Sequence, residues 1–157
     1  MWRYLLIAVG VIGLDQWSKY EMVRRLAYGS VRVTGFLNLV LVYNRGAAFG
    51  LLSQQDGWQN IIFIAIAAII ALAIIVYLFR GRHHEVLTTV ALMLVLGGAI
   101  GNLIDRVRLG RVVDFVDFHI GHWHWYTFNL ADSAITIGAV LLAVDAFRPR
   151  RGPGGEP

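Results

Sequence analysis

The 157-residue chain contains no cysteine. That excludes disulfides, thiolate nucleophiles and cysteine-based metal sites, and it leaves the redox compartment open. Charge is also scarce. Only 15% of the residues are Asp, Glu, Lys or Arg, against 57% hydrophobic ones, and mean hydropathy is +0.61. A soluble domain of this length carries more charge, so the composition is that of an integral membrane protein. Lysine is almost missing: Lys19 stands alone beside 13 arginines, and the net charge is +4. No basic run interleaves with aromatics, so no nucleic acid is expected as a partner. Arginine at membrane boundaries, where it sets topology and meets anionic headgroups, accounts for the excess. HExxH, GxSxG and a glycine-rich phosphate loop are absent, and no internal repeat is visible.

What is present is apolar sequence in lengths that suit a bilayer. A hydrocarbon core of about 30 Å takes roughly 20 residues of helix. Ile61–Phe79 runs uninterrupted between Gln59-Asn60 and Arg80. Val86–Ile104 is free of charge, and its Gly97, Gly98, Ala99 and Gly101 let helices approach closely. Leu130–Phe147 is largely apolar with Asp132 and Asp145 near its ends, and Tyr4–Val23 holds Asp15 and Lys19 in its second half. The expected fold class is an all-α membrane protein with four transmembrane helices. Arg3 and the apolar run after it could open a cleavable signal peptide, but Asp15-Gln16 follows that run instead of a small-x-small cleavage site. An uncleaved first helix is expected.

Four spans put both termini on one side. The connector Arg80–Glu85 is short enough to make the second and third helices antiparallel neighbours. The long connectors, about Arg24–Gln59 and Val107–Asn129, then share the other face. Basic residues divide nearly evenly between the sides, but those around the termini lie densely on short flanks, which favours cytoplasmic termini. Val31, Val33, Phe36, Leu37, Leu39, Val40, Leu41 and Val42 form a β-rich run broken by Gly35, and Arg111–Ile120 is also strand-like. A small extracytoplasmic β-sheet resting on the membrane face follows. Residues 1–157 read as a single domain whose last stretch, Arg148–Pro157 with three Pro and three Gly, is a disordered tail.

Asp114 and Asp132 stand at the polar edge of this oily chain. A carboxylate beside hydrocarbon costs about 2.5–3.5 kcal/mol at a helix centre, so it normally marks a site. Two can hydrolyse a peptide when one is ionised, to take a proton from water, and the other protonated, to donate to the scissile carbonyl. Burial raises both pKa values and repulsion separates them. The bare residues also allow blander roles. Asn129-x-x-Asp132 suits a helix cap and its first turn, and Asp114 could be a strand carboxylate in solvent or paired with Arg111. Asp117, three residues from Asp114, falls on the opposite face of a strand and is not expected to share its site. Asn102, Asp105 and Arg106 share a face where the third helix ends, and Arg106 could simply reach for the interface there. Asp15, Ser18 and Lys19 share another face, with Asp15 and Lys19 spaced for a structural ion pair. In Asn44–Phe49, Gly46 and two alanines permit close backbone approach, and Asn44 can both donate to and accept from a peptide; a tight turn would use the same residues. His119, His122 and His124 raise a zinc alternative, but their spacing matches no zinc signature, and the interleaved Trp123, Trp125 and Tyr126 suit an interfacial aromatic belt.

Five stretches, in order, resemble the lipoprotein signal peptidases (signal peptidase II), the aspartic proteases that act inside bacterial membranes. They are Asp15-Gln16-Trp17-Ser18-Lys19, Asn44-Arg45-Gly46-Ala47-Ala48-Phe49, Gly97-Gly98-Ala99-Ile100-Gly101-Asn102-Leu103-Ile104-Asp105-Arg106, Val112-Val113-Asp114-Phe115 and Phe128-Asn129-Leu130-Ala131-Asp132-Ser133. The resemblance implies that Asp114 and Asp132 are the catalytic pair, that Asn102, Asp105, Arg106 and Asn129 support it and orient the substrate backbone, and that Asn44 touches substrate. Asp15 and Lys19 join this supporting set. No cofactor and no metal are expected. The implied substrate is a diacylglyceryl-modified prolipoprotein, cleaved just before its lipidated Cys at the extracytoplasmic face of the bacterial cytoplasmic (inner) membrane. Membrane lipid and cyclic peptide inhibitors of the globomycin type are the other implied partners. The residues alone leave two rivals open: a small proton-coupled transporter with Asp15, Lys19, Asp105 and Asp132 as a relay, and a non-enzymatic scaffold that binds partners through its small-residue helix face.

Overall fold

A computed structural model describes residues 2–46, 58–81 and 85–148. The apolar runs form helices α1 (Trp2–Arg25), α2 (Trp58–Arg80), α3 (Val86–Leu109) and α4 (Leu130–Ala146). Between them lie strands β1 (Val31–Arg32), β2 (Leu37–Asn44), β3 (Val112–Ile120) and β4 (Trp123–His124). By length and composition, α2 and α3 are each apolar enough to cross a membrane. α1 carries buried Asp15 and Lys19, and α4 has 17 residues, about 25 Å of helix.

α3 is the central helix and packs against α1, α2 and α4. Its small residues make this possible. A Cβ on Gly97 would lie 2.9 Å from the carbonyl oxygen of Ala8 in α1, and one on Gly98 would collide with the carbonyl of Ala131 in α4. α4 reciprocates at Gly138, where a Cβ would sit 2.7 Å from the Ala91 carbonyl oxygen. The compact core is Ala8, Ala71, Ile74, Leu78, Met93 and Leu96. Apolar side chains also cover the outside: Ile61, Ile69 and Leu72 of α2 are 67%, 65% and 61% exposed. An outward hydrocarbon face on a helix is what a lipid solvent rewards.

The structure carries α3 past the apolar run, from Ile104 to Leu109, with Arg106 and Arg108 in its last turn, so the polar stretch is the helix end that the sequence led us to expect. Gly110 closes it in the left-handed conformation, φ 68°, and donates its N–H to the Arg106 carbonyl, a geometry that glycine adopts without the Cβ penalty. The sheet is antiparallel in the order β1-β2-β3-β4. An irregularity in β2 between Leu39 and Val42 separates two paired stretches, with Asn38 opposite Asp117 and Val42 opposite Asp114. A bridge between Val116 and Phe128, with Phe128 N–H donating to the Val116 carbonyl at 3.0 Å, ties the approach to α4 onto β3. That bridge brings the two aspartates' elements together.

Candidate active site

Asn129 lies at the centre of the site. It is fully buried and is the N-cap of α4, with extended backbone at φ −129°. Its Oδ1 accepts the Asp132 backbone N–H at 3.0 Å, while Asp132 Oδ2 accepts the Asn129 backbone N–H at 3.2 Å. This reciprocal capping box satisfies donors the helix leaves free. With Oδ1 committed, the amino end of Asn129 points the other way and donates to Asp114 Oδ1 at 2.6 Å and Asn102 Oδ1 at 3.1 Å. One side chain thus grips both aspartates. The capping role for Asn129 and Asp132 and membership of a shared cluster turn out to be the same geometry.

Each aspartate has a second amide donor. Asn44 Nδ2 donates to Asp114 Oδ2 at 3.1 Å, and Asn44 Oδ1 accepts the Gly46 N–H at 2.7 Å. Gly46 sits at φ 89°, and a Cβ there would meet the Phe63 ring at 2.3 Å. The tight turn and the contact with Asp114 therefore coexist in Asn44; Ala47, Ala48 and Phe49 of that block lie outside the described residues. Asn102 Nδ2 donates to Asp132 Oδ1 at 2.8 Å. Asp114 is 2% exposed and does not pair with Arg111, whose guanidinium lies 3.8 Å from the centre of the Tyr43 ring. Burial, followed by the charge of Asp132, pushes the Asp114 carboxyl up to about 6, against the lowering effect of Asn44, Asn129 and Lys19.

Beneath this layer lies a buried ionic one. Lys19 Nζ contacts Asp15 at 2.8 Å, Asp105 at 2.9 Å and Asn102 Oδ1 at 3.0 Å. The ion pair expected between Asp15 and Lys19 is there, but it is one edge of a larger cluster. Gln16 Nε2 bridges Asp15 Oδ2, Asp105 Oδ1 and the Gly101 carbonyl. Asp15 Oδ1 accepts the Ala131 N–H, and Asp105 Oδ2 accepts the Val113 N–H besides pairing with Lys19, so every carboxylate oxygen of the two has a donor, as a buried charge requires. Gln16 was missed by sequence reasoning; its place beside Asp15 in a polar turn of an apolar helix was the available signal. Arg106 donates to the Asn102 carbonyl at 3.4 Å, stacks 5.2 Å from the Phe63 ring centre, and is near enough to Asp132, Asp114 and Asp105 to feel their charge.

Two lobes of one cleft open over the aspartates. One, of about 460 Å³, is walled by Val42, Asn44, Asp114 and Tyr126; the other, of about 560 Å³, by Phe128, Asp132, Thr136 and Ile137. Asn44, Trp125, Tyr126 and Thr127 line both. Trp125 and Tyr126 are thus cleft walls as well as exposed aromatics.

Asp117 stays apart from the pair. It accepts from Asn38 Nδ2 at 3.1 Å and lies 2.9 Å from His124 Nδ1, and the His124 contact holds its carboxyl below the usual range, with Asn38 helping and burial opposing. His119 stacks on His124 with ring centres 5.1 Å apart. Among the described residues no three His, Asp or Glu side chains converge as a metal site would need.

The family model for signal peptidase (SPase) II matches residues 7–148. The lipoprotein signal peptidase of Burkholderia thailandensis is 51% identical over 150 residues, covering 95% of this chain and 90% of the relative. That of Burkholderia cenocepacia is 53% identical over the same span and coverage. Two solved structures, each described as a bacterial membrane enzyme obtained by the in meso method, superpose with TM-scores of 0.83 and 0.79 at 33% and 35% identity. The first covers 100% of this chain and 96% of the other, the second 94% of each. With its apolar helices, its cleft over two amide-bound aspartates and these relatives, the chain belongs to the signal peptidase II family.

Proposed function

We propose that the protein removes signal peptides from diacylglyceryl-modified bacterial prolipoproteins as an aspartic endopeptidase, with Asp114 and Asp132 as the catalytic pair. The observation that carries this is Asn129: one buried residue holds both carboxyl groups, that of Asp114 through its side-chain amide and that of Asp132 through its backbone N–H, and both line the same cleft. Asp132 lies at the positive end of α4 and accepts two N–H groups, which suits it to the ionised role. Buried Asp114 suits the proton-holding role. Asp132 takes a proton from water, the water oxygen attacks the scissile carbonyl carbon, and Asp114 protonates the carbonyl oxygen. As the tetrahedral intermediate collapses, the C–N bond breaks, Asp132 gives its proton to the departing amine and Asp114 takes back the hydroxyl proton, which leaves the carboxylic acid product and restores the pair. Asn44 and Arg106 lie where they can meet the substrate backbone; Asn102, Asp105, Asp15 and Lys19 support the pair from below.

The setting belongs to the same proposal. All four helices span, residues 1–157 form one domain, the termini are cytoplasmic, and the cleft opens on the extracytoplasmic face of the inner membrane. Lipid anchors the scissile bond at that depth, and cyclic peptides of the globomycin type compete for the cleft. Family membership leaves the transporter and scaffold alternatives without support. Purified protein given one precursor in lipidated and unmodified form is the direct test. Cleavage before the lipidated Cys is expected, with slow turnover or none for the unmodified form. Failure to cleave either would overturn the assignment.

A further inference from the structure

Asn102 has a carbonyl end and an amino end, and its neighbours dictate which points where. Lys19 Nζ, 3.0 Å from Oδ1, can only donate. Asn129 Nδ2, 3.1 Å from the same oxygen, is an amino group because Asn129 Oδ1 accepts from the Asp132 backbone. Two donors therefore converge on Asn102 Oδ1, and its Nδ2 is turned toward Asp132 Oδ1. Flipping the amide would set its NH2 against an ammonium and another NH2, and would withdraw the donor from Asp132. Lys19 itself cannot turn away, because Asp15 and Asp105 hold it on buried ion pairs.

An ion pair that merely docked α1 on α3 would need no contact with Asn102. Resting on the assignment of Asp114 and Asp132 as the reacting pair, we propose that Lys19 is a positioning residue of the reaction: it locks the Asn102 amide so that the Asp132 carboxyl keeps an N–H donor and its place in the pair. The charged groups arranged around Asp132 are Asp15 and Lys19 from α1, Asp105 and Arg106 from α3, and Asp114 from β3.

The test must separate the lost donor from the lost charge. Asp15, Asp105 and Lys19 together carry one negative charge; Lys19→Met would leave two, whereas Lys19→Met with Asp15→Asn keeps one while it removes the donor to Asn102. The double variant of the full-length enzyme, purified in detergent with its folded fraction counted by thermal melt, is assayed on a lipidated precursor. Expected are a kcat at least about 30-fold lower and a KM within about threefold of the parent, because the donor acts on the reacting pair and not on the substrate. Asp15→Asn alone, which leaves Lys19 on Asn102, should be at least about tenfold more active than the double variant. If that double variant does not fold, Lys19→Met with Asp105→Asn replaces it: it too keeps one negative charge and removes the Lys19 donor from Asn102, so the same kcat loss is expected. Parental kcat in either variant, or equal loss in Asp15→Asn alone and the double, overturns the role of Lys19. Cleavage by Asp114→Asn would instead remove the pair on which the proposal rests.

Discussion

Asp114 and Asp132 differ in how they meet solvent: the first is almost wholly covered and the second is half-buried at a helix N-terminus. Asp114→Asn and Asp132→Asn should each abolish cleavage in protein that remains inserted and folded, because Asn keeps the shape but cannot exchange the proton. Asp117→Asn should keep most activity, since Asp117 is engaged with Asn38 and His124; a dead but folded Asp117 variant would place that residue in the reaction. With Asp114 pushed up to about 6, kcat/KM should decline on the alkaline side from about that pH as the pair loses its remaining proton, a pH profile on purified enzyme being the check. Stability follows the same shift. Native Asp114 keeps its proton until about 6, whereas an unfolded Asp releases it near 3.8. Between those values the native state holds the extra proton, so stability falls as pH rises, by roughly 3 kcal/mol in all. Asp114→Asn should therefore melt higher than the parent at pH 8 and show no such gain below pH 4. The gain is smaller than the full shift because one end of Asn would turn a donor toward Asn44 or Asn129.

At the scale of the elements, α3 depends on having almost nothing at its contact points. Gly98→Ala would drive a methyl into the Ala131 carbonyl and should cost about 1–3 kcal/mol by overpacking. Gly10→Ala and Gly13→Ala meet nothing within 4 Å and should be neutral or stabilising by roughly 0.5–1 kcal/mol. Thermal melts of the three variants in one detergent check the contrast, and a neutral Gly98→Ala would mean the helices can separate. The four helices and the strands β2 and β3 were legible because runs such as Ile61–Phe79 and Leu37–Val42 follow simple rules of length and composition. The burial of α3's polar end was not. Asp105 and Arg106 read as a polar terminus, and Arg106 does lie in the last turn, but Asp105 is buried on Lys19 and on Gln16, 89 residues earlier in the chain. Asp114 and Asp132 stood out as carboxylates in oily surroundings, but their approach depends on the Val116–Phe128 bridge and the cap at Asn129, pairings that no local pattern announces. Strand alternation alone separates Asp117 from Asp114, and the two have separate hydrogen-bond partners.

On the scale of the whole molecule, the lack of native cysteine permits a clean map of orientation. Single cysteines placed after Arg148 or in the Arg80–Glu85 connector should resist an impermeant thiol reagent in intact cells, and one near Gly29 should react; the reverse pattern would put the cleft on the wrong side for exported substrates. Each buried CH₂ of a lipid anchor adds about 0.8 kcal/mol, so shortening the acyl chains of the precursor should raise KM stepwise with little change in kcat. The interlocking of Asn44, Asn102 and Asn129 bears on resistance to a cyclic peptide lodged in the cleft. Each amide has its oxygen fixed by a donor that cannot reverse and its amino end on an aspartate, so altering one to evade the inhibitor also disturbs an aspartate. Escape variants selected under such an inhibitor should therefore accumulate at Trp125, Tyr126 and Ile137 on the walls and leave the amides untouched, giving the drug a floor that cannot mutate without silencing its own enzyme.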